Sequence, residues 1–319
     1  MAWRAVAALL CFTAVACAGP SGRPSLPSPH PASITRLRVQ TIERGRPVVR
    51  SVALEDYVRT AVLSEYAPGS GEASPAASMY EVQAIVSRTY AVSRIGRHDR
   101  QGFDLCATTH CQLFEPERLR TSRWMQAART AVSRTAGTIL WHDRAPVEAV
   151  YHADCGGHTS AAADVWGGAG RAYLIARPDA GPARDAHASW RFDVGERALV
   201  RALDEETQSA LGGRLGRIEI IERDTAGRAV LVSLRGARVV VVPGDRLREL
   251  LAGAFGPHSI RSTLFEVSRT DTGFRFTGRG FGHGVGLCQA GAVARLRAGA
   301  SPEAVLEHYF PRTRLIRMP

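Results

Sequence analysis

Residues 54–65 read Leu-Glu-Asp-Tyr-Val-Arg-Thr-Ala-Val-Leu-Ser-Glu, and their period decides how the chain begins to fold. Leu54, Val58, Ala61, Val62 and Glu65 fall at helical spacing and therefore share one face. Just upstream the period is different. Leu37, Val39 and Ile42 lie among polar neighbours, and Val48 to Val52 continue that strand-like pattern. Downstream, a loop rich in Gly, Ser, Pro and Ala runs from Ala67 to Ser78. A second helical stretch follows, with Val82, Ile85, Val86, Thr89 and Tyr90 on one side, and Trp124 to Arg134 reads as a third helix.

Further along, Thr138 to Trp141 and Val147 to His152 read as strands around a turn at Asp143 to Pro146. Ile218 to Glu222 and Ala229 to Leu234 bracket Asp224 to Gly227, a hairpin signal. Val239 to Val242 is a buried strand candidate, and Asp245 to Leu251 is helical. Phe265 to Val267 and Phe274 to Thr277 form another expected hairpin. Two helices close the chain, Leu287 to Arg297 and Pro302 to Tyr309, the latter with Ser301 as N-cap. There is no internal repeat and no strict strand–helix alternation. The expectation is an α+β fold, one compact body of mixed helices and antiparallel strands over 34–319. A middle insertion is expected around 190–255.

With 45% hydrophobic and 22% charged residues, the composition excludes a wholly disordered chain. No apolar run beyond the N-terminus is long enough for a spanning helix. The net charge is +11, and every fixed positive charge is arginine. That balance suits an anionic partner, whether nucleic acid, a phospholipid surface or an acidic wall polymer, and general solvation is at least as good a reading as a nucleic-acid stripe. Residues 1–16 have a positive n-region at Arg4 and a short apolar segment, so they read as a signal peptide. Ala14-Val15-Ala16-Cys17 resembles a bacterial lipobox, which makes Cys17 the expected lipidation site. Residues 17–33 read as a Pro/Ser/Gly tether. The protein is thus expected in the cell envelope as an exported, membrane-anchored lipoprotein.

Several residues could carry chemistry. Glu65 closes an apolar helix face; a carboxyl there is either desolvated, hence raised in pKa as a general acid needs, or turned out to solvent. Arg88, on the next helix, could orient that acid or bind substrate oxygens, or only lay its stem along apolar surface. Cys106, His110 and Cys111 lie within six residues, with His98 as a possible fourth ligand. They suit zinc, and they equally suit a disulfide in an oxidising compartment; Cys155 and Cys288 offer further pairings. Gly156 and Gly157 mark a tight turn next to His158. In Gly278 to Gly286, glycine recurs at every second position, which does not fit a dinucleotide loop. Glycines on one face of an extended segment would admit a sugar ring or another backbone, with His283 on the opposite face.

Leu54–Val58 with Ser64-Glu65, Glu81–Tyr90 (EVQAIVSRTY), Thr109–Gln112, Gly156–Thr159 and Gly278–Ala292 (GRGFGHGVGLCQAGA), in this order, resemble the stage II sporulation protein D and amidase enhancer family (SpoIID/LytB). The resemblance covers most of residues 50 to 310 and is carried most specifically by the last motif. It implies a lytic transglycosylase acting on peptidoglycan strands stripped of stem peptides, with Glu65 and Arg88 in catalysis. Tyr90, His158, Gly282, His283 and Gly284 would bind substrate. It also implies a structural zinc at Cys106, His110 and Cys111, with His98 mapped more loosely, and no cofactor for the chemistry. The alternative is a wall-binding protein that stimulates a cell-wall amidase. Expected partners are glycan strands, that amidase and the membrane, not nucleic acid. Where the family has Glu-Met-Pro, this chain has Glu65-Tyr66-Ala67-Pro68, and its following loop is longer.

Overall fold

The computed structural model of the 319-residue chain describes residues 34–68, 76–179, 185–206 and 209–318. The expected signal peptide, the tether and Cys17 lie outside the described residues, as does most of the loop before the second helix. The fold is α+β, as the patterning indicated.

β1 (Arg36–Glu43) and β2 (Arg46–Ala53) form an antiparallel hairpin. Its turn places Arg44 and Gly45 at positive φ, the geometry that matches strand twist in a two-residue loop. The chain then enters α1 (Leu54–Glu65), whose first turn carries Glu55 and Asp56, favourable beside the positive end of the helix dipole. α2 (Ala76–Ser93) is buried on almost every side, because α1, the Met125–Arg134 helix and the last helices surround it. β3 (Leu105–Cys106) adds to β1 in parallel and sets Cys106 beside Gln40.

One core packs Tyr57, Val58, Val62, Met79, Tyr80 and Val86 with residues of the closing helices. A second core spans Trp190 to Phe276. It contains an antiparallel sheet of Leu215–Arg223, Ala229–Gly236 and Val239–Pro243, with the expected turn at Asp224–Gly227. The Phe265–Arg269 and Gly273–Gly278 hairpin pairs back onto Trp190–Gly195, so this core runs past residue 255. Ser301 caps the Pro302–Tyr309 helix by accepting from Ala304 N–H at 3.2 Å.

Two expected elements are altered. The strand at Val147–His152 contracts to Tyr151–His152, which pairs in parallel with Leu287–Cys288. The Val150 carbonyl already accepts from Leu287 N–H, so pairing starts only there. The following helix begins at Gln289, because Leu287 and Cys288 are taken by that pairing. A strand that patterning had not indicated, Arg314–Arg317, pairs with Thr138–His142.

Arg88 joins these layers. Its side chain is fully buried and grips Glu55 through two hydrogen bonds of 2.7 Å, from Nε and Nη2. Nη1 donates to the Thr138 carbonyl at 3.1 Å, and Gly137 N–H reaches the same Glu55 carboxylate at 3.2 Å. The sequence expectation of Arg88 at the substrate is therefore corrected: it ties α1, α2 and the Thr138–His142 strand together and cannot reach a ligand. Removing Glu55 leaves a buried guanidinium without its counter-charge. Glu55→Ala is expected to lower unfolding free energy by on the order of 3 kcal/mol in urea melts. A loss below about 0.5 kcal/mol would show the pair to be incidental.

Candidate active site around Glu65

Glu65 is the last residue of α1, where the helix face turns into the core. The residue keeps partial exposure, while its carboxyl sits in an enclosed setting. Leu113 N–H donates to Oε1 at 2.5 Å, and the Tyr151 hydroxyl also bonds the carboxyl. Burial is the dominant influence and pushes the group from an ordinary 4.5 up to about 7; the Leu113 and Tyr151 hydrogen bonds oppose it. Tyr151 itself is held well above its usual value by burial first and by the Glu65 charge second, so it stays a donor.

A chain of buried polar groups fixes this arrangement. Tyr57 Oη donates to Gln112 Oε1, and Gln112 Nε2 donates to Tyr151 Oη, both at 3.1 Å. Gln289 Nε2 reaches the Glu65 carbonyl at 3.2 Å and Gln83 Oε1 at 3.1 Å. Neither Gln112, Tyr151 nor Gln289 was singled out as a site residue from sequence. Gln112 and Gln289 each follow a cysteine inside a quoted motif, and Tyr151 precedes His152; adjacency was the only signal they gave. Tyr66, which departs from the family pattern, is buried and sets its ring edge-on to Tyr80 at 5.6 Å.

His283 comes to the site indirectly. Its Nδ1 accepts from Val285 N–H at 3.0 Å, so Nε2 carries the proton donated to the Tyr151 carbonyl at 3.0 Å. Burial lowers its pKa to about 4, and it is neutral at pH 7. Its ring lies 5.1 Å from Trp166 and 5.4 Å from His152.

The glycine-rich segment is not an extended strand with an open face. Gly282 and Gly284 lie at φ +105° and +85°. A Cβ at Gly282 would come within 2.6 Å of His152 Cβ, and one at Gly284 within 2.3 Å of Arg228 Nε. The missing side chains thus make room for the chain's own residues, which corrects the expectation of a sugar-facing glycine wall at those positions.

Tyr90 is buried, and its hydroxyl accepts from Arg97 at 3.0 Å beside the Cys106/Cys111 pair rather than at Glu65. His158 lies on a short strand against Arg177–Pro178, bonding the Thr159 carbonyl at 2.7 Å. No hydrogen bond among the described residues joins either to Glu65. A surface cavity lined by Arg223, Leu264, Phe265 and Arg279 includes neither Glu65 nor its partners.

His98, Cys106, His110 and Cys111 do converge, with donor atoms within 4.8 Å of one another. His98 Nε2 is 3.3 Å from Cys111 Sγ, and His110 Nδ1 is 3.6 and 3.7 Å from the two sulfurs. The His98 Nδ1 is held by Gln101 Oε1 at 2.6 Å, which turns Nε2 toward Cys111 Sγ and into the donor cluster. Two sulfurs and two imidazoles are a donor set that fits tetrahedral zinc. This cluster directly precedes Gln112 and Leu113, the residues that hold Tyr151 and Glu65.

The raised Glu65 pKa has a consequence for stability. Between pH 4.5 and about 7 the unfolded chain releases a proton that the native chain keeps, so stability falls as pH rises. Glu65→Gln has no such proton. It is expected to match wild type near pH 4 and to exceed it by up to about 3 kcal/mol at pH 8 in thermal or denaturant unfolding. A difference that does not vary with pH would contradict the burial described.

Residues 43–142 match the family model described as SpoIID, stage II sporulation protein. Residues 181–286 match a second model, described as a domain of unknown function (DUF8618). The amidase enhancer of Bacillus subtilis (strain 168) is 24% identical over 295 residues, covering 78% of this chain. The chain spans only 39% of that relative's length. Stage II sporulation protein D of Bacillus amyloliquefaciens is 26% identical over 277 residues, covering 82% of this chain and 74% of that protein. Its counterpart in Bacillus subtilis (strain 168) is 25% identical, covering 84% and 75%. Residues 43–142 thus match the SpoIID domain, and along most of its length the chain is similar to the amidase enhancer and to stage II sporulation proteins D.

Proposed function

We propose that the protein is a peptidoglycan lytic transglycosylase, cutting the bond between N-acetylmuramic acid and N-acetylglucosamine in peptide-stripped strands. The observation that carries this reading is Glu65, a carboxyl raised to about 7 by burial and aimed by Leu113 N–H and Tyr151. Protonated Glu65 gives its proton to the bridging oxygen. The bond from that oxygen to the muramic C1 breaks, and its electron pair stays with the departing sugar. The carboxylate then takes the proton of the muramic C6 hydroxyl, whose oxygen closes on C1. The product is a 1,6-anhydro end, no water is consumed, and Glu65 is again protonated. One carboxyl serves both steps, unlike the paired carboxylates of hydrolases. Because the nucleophile belongs to the substrate, holding the sugar in register matters more than activating water.

Tyr151 and Gln112 act as positioning residues. His98, Cys106, His110 and Cys111 would hold a structural zinc, which when bound cross-links the loop that carries Gln112 and Leu113. Export and a lipid anchor at Cys17 belong to the same reading, since the substrate lies outside the membrane. A second reading is favoured by the name of the amidase enhancer relative. In it, the same fold binds wall glycan and stimulates an amidase without cutting.

Incubation of purified protein with denuded glycan, followed by mass analysis, tests the proposal. Wild type is expected to generate anhydro ends, and Glu65→Gln to lose at least about 100-fold in rate. Equal product from both proteins refutes the assignment. Glycan binding and amidase stimulation without any anhydro product, unchanged in Glu65→Gln, selects the second reading. The rate should fall as pH rises past about 7, where Glu65 loses its proton. Tyr151 holds that pKa down, so Tyr151→Phe is expected to move the falling limb to higher pH. A limb that stays in place would remove Tyr151 from the account.

A further inference from the structure

A second group of donors lies on the far side of Tyr151, within the core. His152, Cys155 and Cys288 place their ligand atoms within 4.8 Å of one another. They are 5%, 2% and 1% exposed, so no substrate reaches them and a nucleophilic role is excluded. The two sulfurs are not bonded to each other.

Four features give this cluster the character of a built cation site. First, His152 Nδ1 donates to the Val285 carbonyl at 3.1 Å, which fixes the ring, while its buried Nε2 has no hydrogen-bond partner among the described residues. That is the orientation of a metal-ligating imidazole. Second, both sulfurs are surrounded by backbone donors. Cys288 Sγ accepts from Cys155 N–H at 3.2 Å and Gly291 N–H at 3.3 Å, and Cys155 Sγ accepts from Gly157 N–H at 3.3 Å. Third, Cys288 is the N-cap of the Gln289–Arg297 helix, whose dipole favours a negative sulfur. Fourth, the buried guanidinium of Arg228 donates to the carbonyls of Cys155 and Gly282 but forms no ion pair among the described residues. A pair of thiolates beside it would add to the negative charge that Asp224 already brings near this guanidinium. The Cys155 thiol donates to Asp179 Oδ2 at 3.5 Å.

We infer that His152, Cys155 and Cys288 hold a thiophilic divalent cation of the zinc class, as a structural centre distinct from the His98–Cys111 cluster. Its place gives it a purpose. His152 adjoins Tyr151, and Cys288 adjoins Gln289, so one ion would clamp the paired strands that present both residues to Glu65. This benefit to catalysis rests on the function proposed above; the metal content does not.

The test is metal analysis of the full chain in a Cys106→Ser/Cys111→Ser background, grown and purified with zinc. One zinc per chain is expected to remain, and adding His152→Ala is expected to abolish it. In the same background, cobalt(II) is expected to give a sulfur-to-metal charge-transfer band that His152→Ala weakens or removes. Absence of bound zinc in the folded background variant overturns the inference. Should those variants fail to fold, unreduced peptide mapping of the wild-type chain decides. Cys155 and Cys288 recovered as free thiols, together with zinc bound in excess of one per chain, support the site; a disulfide joining them overturns it. Loss of zinc from this site with undiminished glycan cleavage would separate the metal claim from the catalytic one.

Discussion

A carboxyl group shut away from water at the end of a helix is the constraint around which this protein is organised. In such a setting the charged form is disfavoured, so the group keeps its proton to about pH 7. Left without partners it would also be free to turn outward and recover its hydration. The structure prevents this with Leu113 N–H, the Tyr151 hydroxyl and a train of glutamines. These groups come from four separate segments. Their relative placement, rather than any one of them, sets the site.

The rest of the fold can be understood as bracing those segments. Arg88 and Glu55 lock α1 to α2 at one side. The His98–Cys111 cluster stands just before Gln112 and Leu113. The glycine-rich run returns from the second core and lies so close to Val150–Asp154 that side chains would collide there. That close approach delivers Cys288 and Gln289 beside His152 and Tyr151. His152 and Cys288 each adjoin a residue that bonds Glu65, Tyr151 and Gln289 respectively, and Cys111 stands two residues before Leu113.

Much of this was legible in the sequence, and the parts that were not have physical reasons. The helical face ending at Glu65, the hairpin at Asp224–Gly227 and the Ser301 cap follow from local period and turn chemistry, and they stand as read. Cys106, His110 and Cys111, with His98 as a possible fourth donor, read from sequence as suiting zinc or a disulfide equally, and the fold brings the four together. Arg88 was misplaced because its partner, Glu55, lies on another helix and no local pattern announces a buried ion pair. The glycines were read as extended because alternation suggests a strand; their positive φ values depend on contacts with Val150–Asp154 and Arg228 that only the tertiary fold creates. Tyr151 and Gln289 stayed hidden for the same reason. Tyr151 sits on a two-residue strand too short to show a period, and Gln289 opens the helix that follows its distant partner strand.

The most direct test of the account is the ionisation of Glu65 itself, followed by carbon-13 NMR of its labelled side-chain carboxyl and assigned by the signal's disappearance in Glu65→Gln. A midpoint near 7 is the expected result. A midpoint near 4.5 would mean that the carboxyl is hydrated like any surface glutamate, and the site described here would lose its acid.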